Sequence, residues 1–348
     1  MLVEDSLVVR ALLAHIVSRD PRLEVVAQVG SGEEALAALG AVRPDVISMD
    51  IRLPGIDGLE TTRQIMAERP TPIVVVADSV EDSSLRISMN ALRAGALSVV
   101  EKPVGTTNAG YDGIATEICT QLRIMAAVPV IRRRPIGAGW AGGALSSTPL
   151  DVPMTGAAPS VLAIATSTGG PPALARVLGG LAEDFPLPIL IVQHMGAAFM
   201  EGFASWLDGV VALPVALARD GERPEGGRAY VAPGDRHLEL GPGGVLRISD
   251  APPVGGQRPA ATVLFRSVAR HAGPRGIGLL LTGMGEDGAA GLLDMRRAGA
   301  ATIAEDESTA VVFGMPAAAI RLSAAGTVLP LNRMAAHLIQ VATPRSSA

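Results

Sequence analysis

The sequence predicts an α/β protein made of two open parallel sheets, each covered by helices and joined by a linker. Three observations predict it. From residue 1 to about 103, short Val/Ile/Leu runs alternate with amphipathic stretches, which is the rhythm of a parallel sheet packed under helices. Over 104–158 that rhythm stops, and prolines, glycines and small residues take over. From Ser160 it returns. A chain of 348 residues, 48% of them hydrophobic, can fill two cores. The expected division is a first domain over 1–103, a linker over 104–158 with a helix at 114–127, and a second domain over 159–348.

In the first domain, strands are expected at Leu2–Val3, Leu23–Val29, Asp45–Met49, Ile73–Val76 and Ser98–Val100. The first is short: only Met1, Leu2 and Val3 precede two acids, against about 5–6 residues in an ordinary strand. Either the strand is truncated or the start codon was placed late. The linker's Arg132–Arg134 run reads as solvated charge. In the second domain, strands are expected at Val161–Ala165, Pro188–Gln193, Gly276–Leu281 and Ala301–Ala304. Helices are expected at Pro171–Leu181, Ala289–Arg297 and Thr309–Ile320. Turn signals within Val211–Leu246 predict hairpins beside the parallel sheet, an antiparallel addition to a mainly parallel fold.

Composition excludes several classes. A net charge of −5 and 3% aromatics speak against nucleic acid, which needs a basic surplus and stacking platforms. Cys119 is the single cysteine, so no internal disulfide or CxxC site can form. No apolar run approaches the ~20 residues of a membrane helix. The N-terminus has no basic start followed by an apolar stretch, so a cytoplasmic protein that is not integral to a membrane is expected.

Chemistry in open parallel sheets gathers at the carboxyl ends of strands. In the first domain, Glu4 and Asp5 follow the first strand, Asp50 the third, and Lys102-Pro103 the fifth. Clustered carboxylates suit a hard cation such as Mg²⁺. With such an ion beside it, Asp50 can attack a phosphoryl group as a carboxylate nucleophile, and Lys102 can neutralise the transferred group. Taken singly, these residues read as loop acids and a turn. Together with Leu53-Pro54-Gly55-Ile56-Asp57-Gly58, the set resembles the receiver domain of response regulators over residues 1–103. The resemblance implies a flavodoxin-like fold with a five-stranded parallel sheet, Asp50 as phosphoacceptor and Mg²⁺ held by Glu4, Asp5, Asp50 and the backbone carbonyl of Arg52. It also implies a cis peptide before Pro103 and a histidine kinase as phosphodonor. Ala77 departs from the pattern, because receivers usually carry Thr or Ser there; Ser79 is the next hydroxyl along.

In the second domain, Ser167 follows the first strand in Ala165-Thr166-Ser167-Thr168-Gly169-Gly170, His194 follows Pro188–Gln193, and Asp287 follows Gly276–Leu281. A Ser-His-Asp triad requires such convergence, since the imidazole takes the serine proton while the carboxylate fixes its tautomer. Alone, Ser167 reads as a helix cap and His194 as a strand-end histidine. Gly283-x-Gly285-x-x-Gly288 with Glu305 also has the ingredients of a dinucleotide fingerprint, which would make this an NAD-binding oxidoreductase. A third reading is a signalling module with a catalytically inactive hydrolase fold.

The segments Ala165–Gly170, Gln193-His194-Met195, Tyr230–Asp235, Leu281–Gly291 and Val312–Pro316 resemble the chemotaxis protein-glutamate methylesterase family, CheB. The resemblance implies a phosphorylation-activated esterase that hydrolyses glutamyl methyl esters on methyl-accepting chemoreceptors, and deamidation of receptor glutamines by the same chemistry. It implies Ser167 as nucleophile, His194 as general base then acid, Asp287 as orienting carboxylate, and the backbone amides of Thr168 and Met284 as oxyanion donors, with no cofactor for the ester chemistry. It further suggests that the unphosphorylated receiver obstructs the cleft. Two positions depart from the family. Arg258-Pro259-Ala260-Ala261-Thr262 replaces a segment that commonly carries Ser-Val-Asp after the proline, with Thr262 expected to cap a helix starting at Val263. Glu286 stands where Asn is common.

Overall fold

The computed structural model describes residues 1–77, 90–92, 94–103, 111–128 and 158–343. Arg132–Arg134, Ser79 and most of the expected linker lie outside the described residues. The first sheet contains β1 (Leu2–Val3), β2 (Gln28–Val29), β3 (Ile47–Met49), β4 (Ile73–Ala77) and β5 (Ser98–Glu101). All pair in parallel, in the order β2-β1-β3-β4-β5. Helices α1 (Leu7–Ser18), α2 (Gly32–Val42) and α3 (Gly58–Glu68) start where short polar side chains satisfy their first amides. Ser31 accepts from Glu34 N at 3.2 Å and Asp57 accepts from Glu60 N at 2.7 Å.

Burial on both faces explains the uninterrupted apolar runs of the central strands. Val74 and Val76 face a cluster with Leu13, Ile16 and Val17 of α1, while Ile73 and Val75 belong to the cluster on the opposite face. The expected helix at 114–127 is observed as α4 (Tyr111–Ala126). Its Tyr111, Ile118, Leu122 and Met125 pack with Leu2, Val74 and Val76, so a boundary at residue 103 cuts off part of this core. Cys119 Sγ lies 3.5 Å from Ile16 O in the same α1–α4 contact. β2 is shorter than the expected Leu23–Val29, because only Gln28 and Val29 pair with β1.

The second sheet has seven parallel strands in the order β14-β13-β12-β6-β7-β9-β8. These are β6 (Val161–Thr166), β7 (Ile189–Gln193), β8 (Val215–Leu217), β9 (Ala229–Val231), β12 (Gly276–Leu280), β13 (Ala301–Glu305) and β14 (Thr327–Leu329). Among the described residues, β10 (His237–Leu240) and β11 (Leu246–Ser249) are the strands that pair antiparallel. The hairpin expectation for 211–246 is therefore corrected over its first part: β8 and β9 run parallel and extend the sheet, with Tyr230 and Val231 buried.

Covering helices are α5 (Gly170–Leu178), α6 (Met200–Asp208), α7 (Ala261–His271), α8 (Ala289–Arg297), α9 (Met315–Arg321) and α10 (Leu331–Ala342). The helix expected over Thr309–Ile320 begins only at Met315. The residues before it are drawn into pairing with the loop after β12, where Gly283 N donates to Val312 O at 3.0 Å. No helix among the described residues is long and apolar enough to cross a membrane.

Candidate active site and acid cluster

The carboxyl edge of the first sheet gathers Glu4, Asp5 and Asp50, with ligand oxygens all within 4.8 Å of one another. Glu4 and Asp50 are buried, while Asp5 is exposed. Lys102 reaches across from β5 and places Nζ 2.8 Å from Asp50 Oδ2 and 3.1 Å from Glu4 Oε2. The expected cis peptide before Pro103 is not found; the cis peptide among the described residues precedes Pro259, and Lys102 makes both contacts without one.

Burial, and then the like charge of Asp50, raises the Glu4 carboxyl to about 7. Burial also raises Asp50, against the opposing effect of Lys102. Burial alone would lower Lys102, but the bonds and charges of Asp50 and Glu4 together outweigh that and raise it. Glu4 Oε2 is buried and makes no well-aligned hydrogen bond, its partner being the charge of Lys102 Nζ at 3.1 Å. Three carboxylates that share one lysine, two of them held above their usual range, fit a divalent cation, which supplies further positive charge. Ala77 closes β4, is buried, and accepts Lys102 N–H at 3.0 Å.

In the second sheet, Ser167, His194 and Asp287 follow the ends of β6, β7 and β12, with β6 lying between the other two strands. His194 Nε2 lies 2.9 Å from Asp287 Oδ2. That bond places the ring proton on Nε2 and leaves the Nδ1 lone pair free. The imidazole makes its hydrogen bond to Asp287 and none to the Ser167 hydroxyl. Gly169 turns the chain after the serine at φ +76°, where a Cβ would strike Val311. Among the described residues, neither the Thr168 nor the Met284 amide donates to a protein acceptor.

Asp287 has a second task. Its Oδ2 accepts from Ala261 N at 2.7 Å and its Oδ1 from Thr262 N at 3.0 Å, so it caps α7 from 26 and 25 residues away. Burial by itself would raise this carboxyl, but the bond and charge of His194 and the donors of Thr262 hold it at about 2. The expectation that Thr262 caps its own helix is corrected. The helix starts at Ala261, and the Thr262 hydroxyl instead accepts from Gly288 N at 2.9 Å. Arg258, at the departure from the family pattern, pairs with Asp235 at 2.7 Å.

Two glycines of the apparent dinucleotide fingerprint, Gly283 and Gly288, serve close packing, whereas Gly285 has open space around it and is set by its φ of +84°. A Cβ on Gly283 would lie 2.3 Å from Met315 Sδ and 2.7 Å from Ser167 Cβ, so the loop presses against the serine. Glu305, the acid of that fingerprint, is wholly buried and turned inward. Its carboxylate accepts from Thr282 N at 2.8 Å and from the Thr309 hydroxyl at 3.0 Å, so it is not placed to meet a ribose.

Burial pushes Glu305 up to about 7. An acid raised in the folded state stabilises fully below its unfolded value, near 4.5, and loses that contribution as pH rises through 7. Between pH 5 and 8 the wild-type chain is expected to lose on the order of 2–3 kcal/mol through this group. Glu305→Gln keeps an acceptor for Thr282 and is expected to lose less. Urea unfolding at both pH values checks this, and equal losses in the two proteins would count against it. The sequence alone presents Glu305 only as a ribose acid and Gln193 only as the neighbour of His194; period-two alternation from Ile189 and Ile191 is the signal that puts Gln193 on their face of the sheet.

Fold and site together define a class: a signalling protein with a receiver-type acidic sheet edge ahead of an α/β domain whose strand ends carry a serine, a histidine and an aspartate. The family described as CheB methylesterase matches residues 162–338, and the response regulator receiver domain matches residues 1–109. Protein-glutamate methylesterase/protein-glutamine glutaminase 2 of Paramagnetospirillum magneticum is 55% identical over 98% of this chain and 97% of its own. A relative of the same name, numbered 4, from Myxococcus xanthus is 44% identical over 97% and 95%. The crystal structure of the Thermotoga maritima CheB methylesterase catalytic domain aligns with a TM-score of 0.51 at 36% identity, covering 53% of this chain and all of that one. The chain belongs to the CheB methylesterase family, with a response regulator receiver domain at its N-terminus.

Proposed function

We infer that this chain is a phosphorylation-activated protein-glutamate methylesterase that also deamidates receptor glutamines. Its substrates are methyl-accepting chemoreceptors, and it acts in the cytoplasm. The observation that carries the reading is the His194–Asp287 pair at 2.9 Å, set beside a serine on the adjacent strand end.

Ser167 Oγ attacks the γ-carbonyl carbon of a methyl-esterified glutamate while His194 Nδ1 takes its proton. The amides of Thr168 and Met284 donate to the oxyanion. The bond to the methoxy oxygen breaks, and methanol leaves with the proton from His194. Water then attacks the acyl-serine, His194 takes its proton, and glutamate departs as the serine hydroxyl is restored. With glutamine the leaving group is ammonia. Asp287 holds the imidazole throughout, stabilising its charged form.

In the receiver, Asp50 accepts the phosphoryl group from a histidine kinase and Lys102 faces the product charge. Glu4, Asp5, Asp50 and the Arg52 carbonyl would hold Mg²⁺, which offsets the like charges around the incoming phosphoryl group. The receiver restrains the catalytic domain until it is phosphorylated.

The test is methanol release from methylated receptor, with and without Mg²⁺ and a small phosphodonor. Phosphodonor is expected to raise release by the wild-type chain and to leave Asp50→Ala at its basal rate. An Asp50→Ala chain activated as strongly as wild type would remove Asp50 as phosphoacceptor.

A further inference from the structure

We propose that Gln193 is a positioning residue of the esterase site, holding nucleophile and base in register by bridging the backbone carbonyls of Ser167 and His194. This rests on the roles assigned above to those two residues. Strands β6 and β7 pair as far as Thr166 opposite Gln193. His194 N still donates to Thr166 O at 3.0 Å, and there the ladder ends. The reacting residues lie one position further on. Gln193 Nε2 sits 2.9 Å from Ser167 O and 2.9 Å from His194 O, so a single side-chain amide spans the two strand ends beyond the last ladder bond. Because both partners are carbonyls, the nitrogen must be the atom that faces them, which fixes the orientation of the amide.

Side-chain alternation carries Gln193 to the face of Ile189 and Ile191, the one covered by α5. There its Oε1 is buried without any hydrogen-bond partner. A buried amide whose oxygen has no protein partner is unfavourable for stability, and an aliphatic side chain of similar size would suit a purely structural position better. What the glutamine adds is the bridge. The start of α5 is shaped around it: a Cβ on Gly170 would lie 2.2 Å from Gln193 Oε1 and 2.3 Å from Thr166 Oγ1. Gly170 N also donates to Ser167 O at 2.9 Å, so the carbonyl of Ser167 is held from the strand side and the helix side together.

Full-length Gln193→Leu, Gln193→Glu and Ser167→Ala are compared with wild type in phosphodonor-activated methanol release, with kcat and KM determined separately. A misplacement of about 1 Å between reacting groups can cost ~10²-fold, so kcat is expected to fall about 10- to 100-fold in both Gln193 variants. KM should stay within about twofold, because the bridge touches no substrate group. Gln193→Glu has the size of the native residue but turns an acceptor toward two carbonyls, and it carries the test if Gln193→Leu does not fold. Wild-type kcat in either folded variant, or a rise in KM alone, would overturn the role. An active Ser167→Ala chain would instead overturn the underlying assignment, which keeps the two failures apart.

Discussion

Ser167→Ala is expected to lower kcat for methanol release by about 10⁴-fold or more, and His194→Ala by a similar factor. The double variant should fall little below either single one. In the proposed mechanism nucleophile and base act as a unit: without the hydroxyl there is nothing to deprotonate, and without the imidazole the hydroxyl stays a weak nucleophile. The residual rate would come from binding and from the free amides of Thr168 and Met284. Losses that multiply in the double variant would mean that the two side chains serve separate steps. Both substitutions are mild for the fold, since neither side chain caps a helix.

Asp287→Asn is expected to have the second-largest effect, a fall in kcat of about 10³- to 10⁴-fold. The geometry gives the reason. His194 meets Asp287 through Nε2, so the native carboxylate demands a proton there. Ala261 N also donates to that same oxygen, so Oδ2 serves the ring and the helix together. An asparagine cannot accept on both sides. With its carbonyl kept toward one helix amide, its NH₂ faces the ring, moves the ring proton to Nδ1, and removes the lone pair that would serve Ser167. Because α7 loses one of its two distant acceptors, stability should also fall, by about 1–2 kcal/mol. Kinetics with denaturant unfolding on the same preparation separate the effects. A folded Asp287→Asn chain with normal turnover would exclude Asp287 from the triad.

Much of this arrangement was legible because burial on both faces of a parallel strand leaves an apolar run that can be read directly. Val161–Ala165 and Ile189–Val192 are such runs, and the polar residues that follow them, Ser167 and His194, fall on one edge of the sheet. Legibility failed where structure depends on distant partners. Residues 309–314 carry a helical pattern but pair with the loop after β12 instead. The start of α7 could not be assigned locally, because its cap is Asp287 and lies beyond the helix itself. The groups that Gln193 and Glu305 bond depend on strand register, which the pattern along the chain does not report. The choice of imidazole nitrogen depends on the approach of β12 to β7 across β6, and no spacing along the chain reports it.

The strand order also has a consequence for synthesis. His194 and Asp287 are 93 residues apart and meet only because β12 joins the sheet beside β6. A ribosome therefore delivers the proposed nucleophile and base early and the acid proposed to orient them late. While β12 is still inside the exit tunnel, the emerging chain has neither the acceptor that fixes its imidazole nor the cap that closes α7. Enzyme competence therefore waits for β12 to take its place beside β6, and a chain that stalls or ends before it is expected to be inert toward receptors however well its first strands have folded.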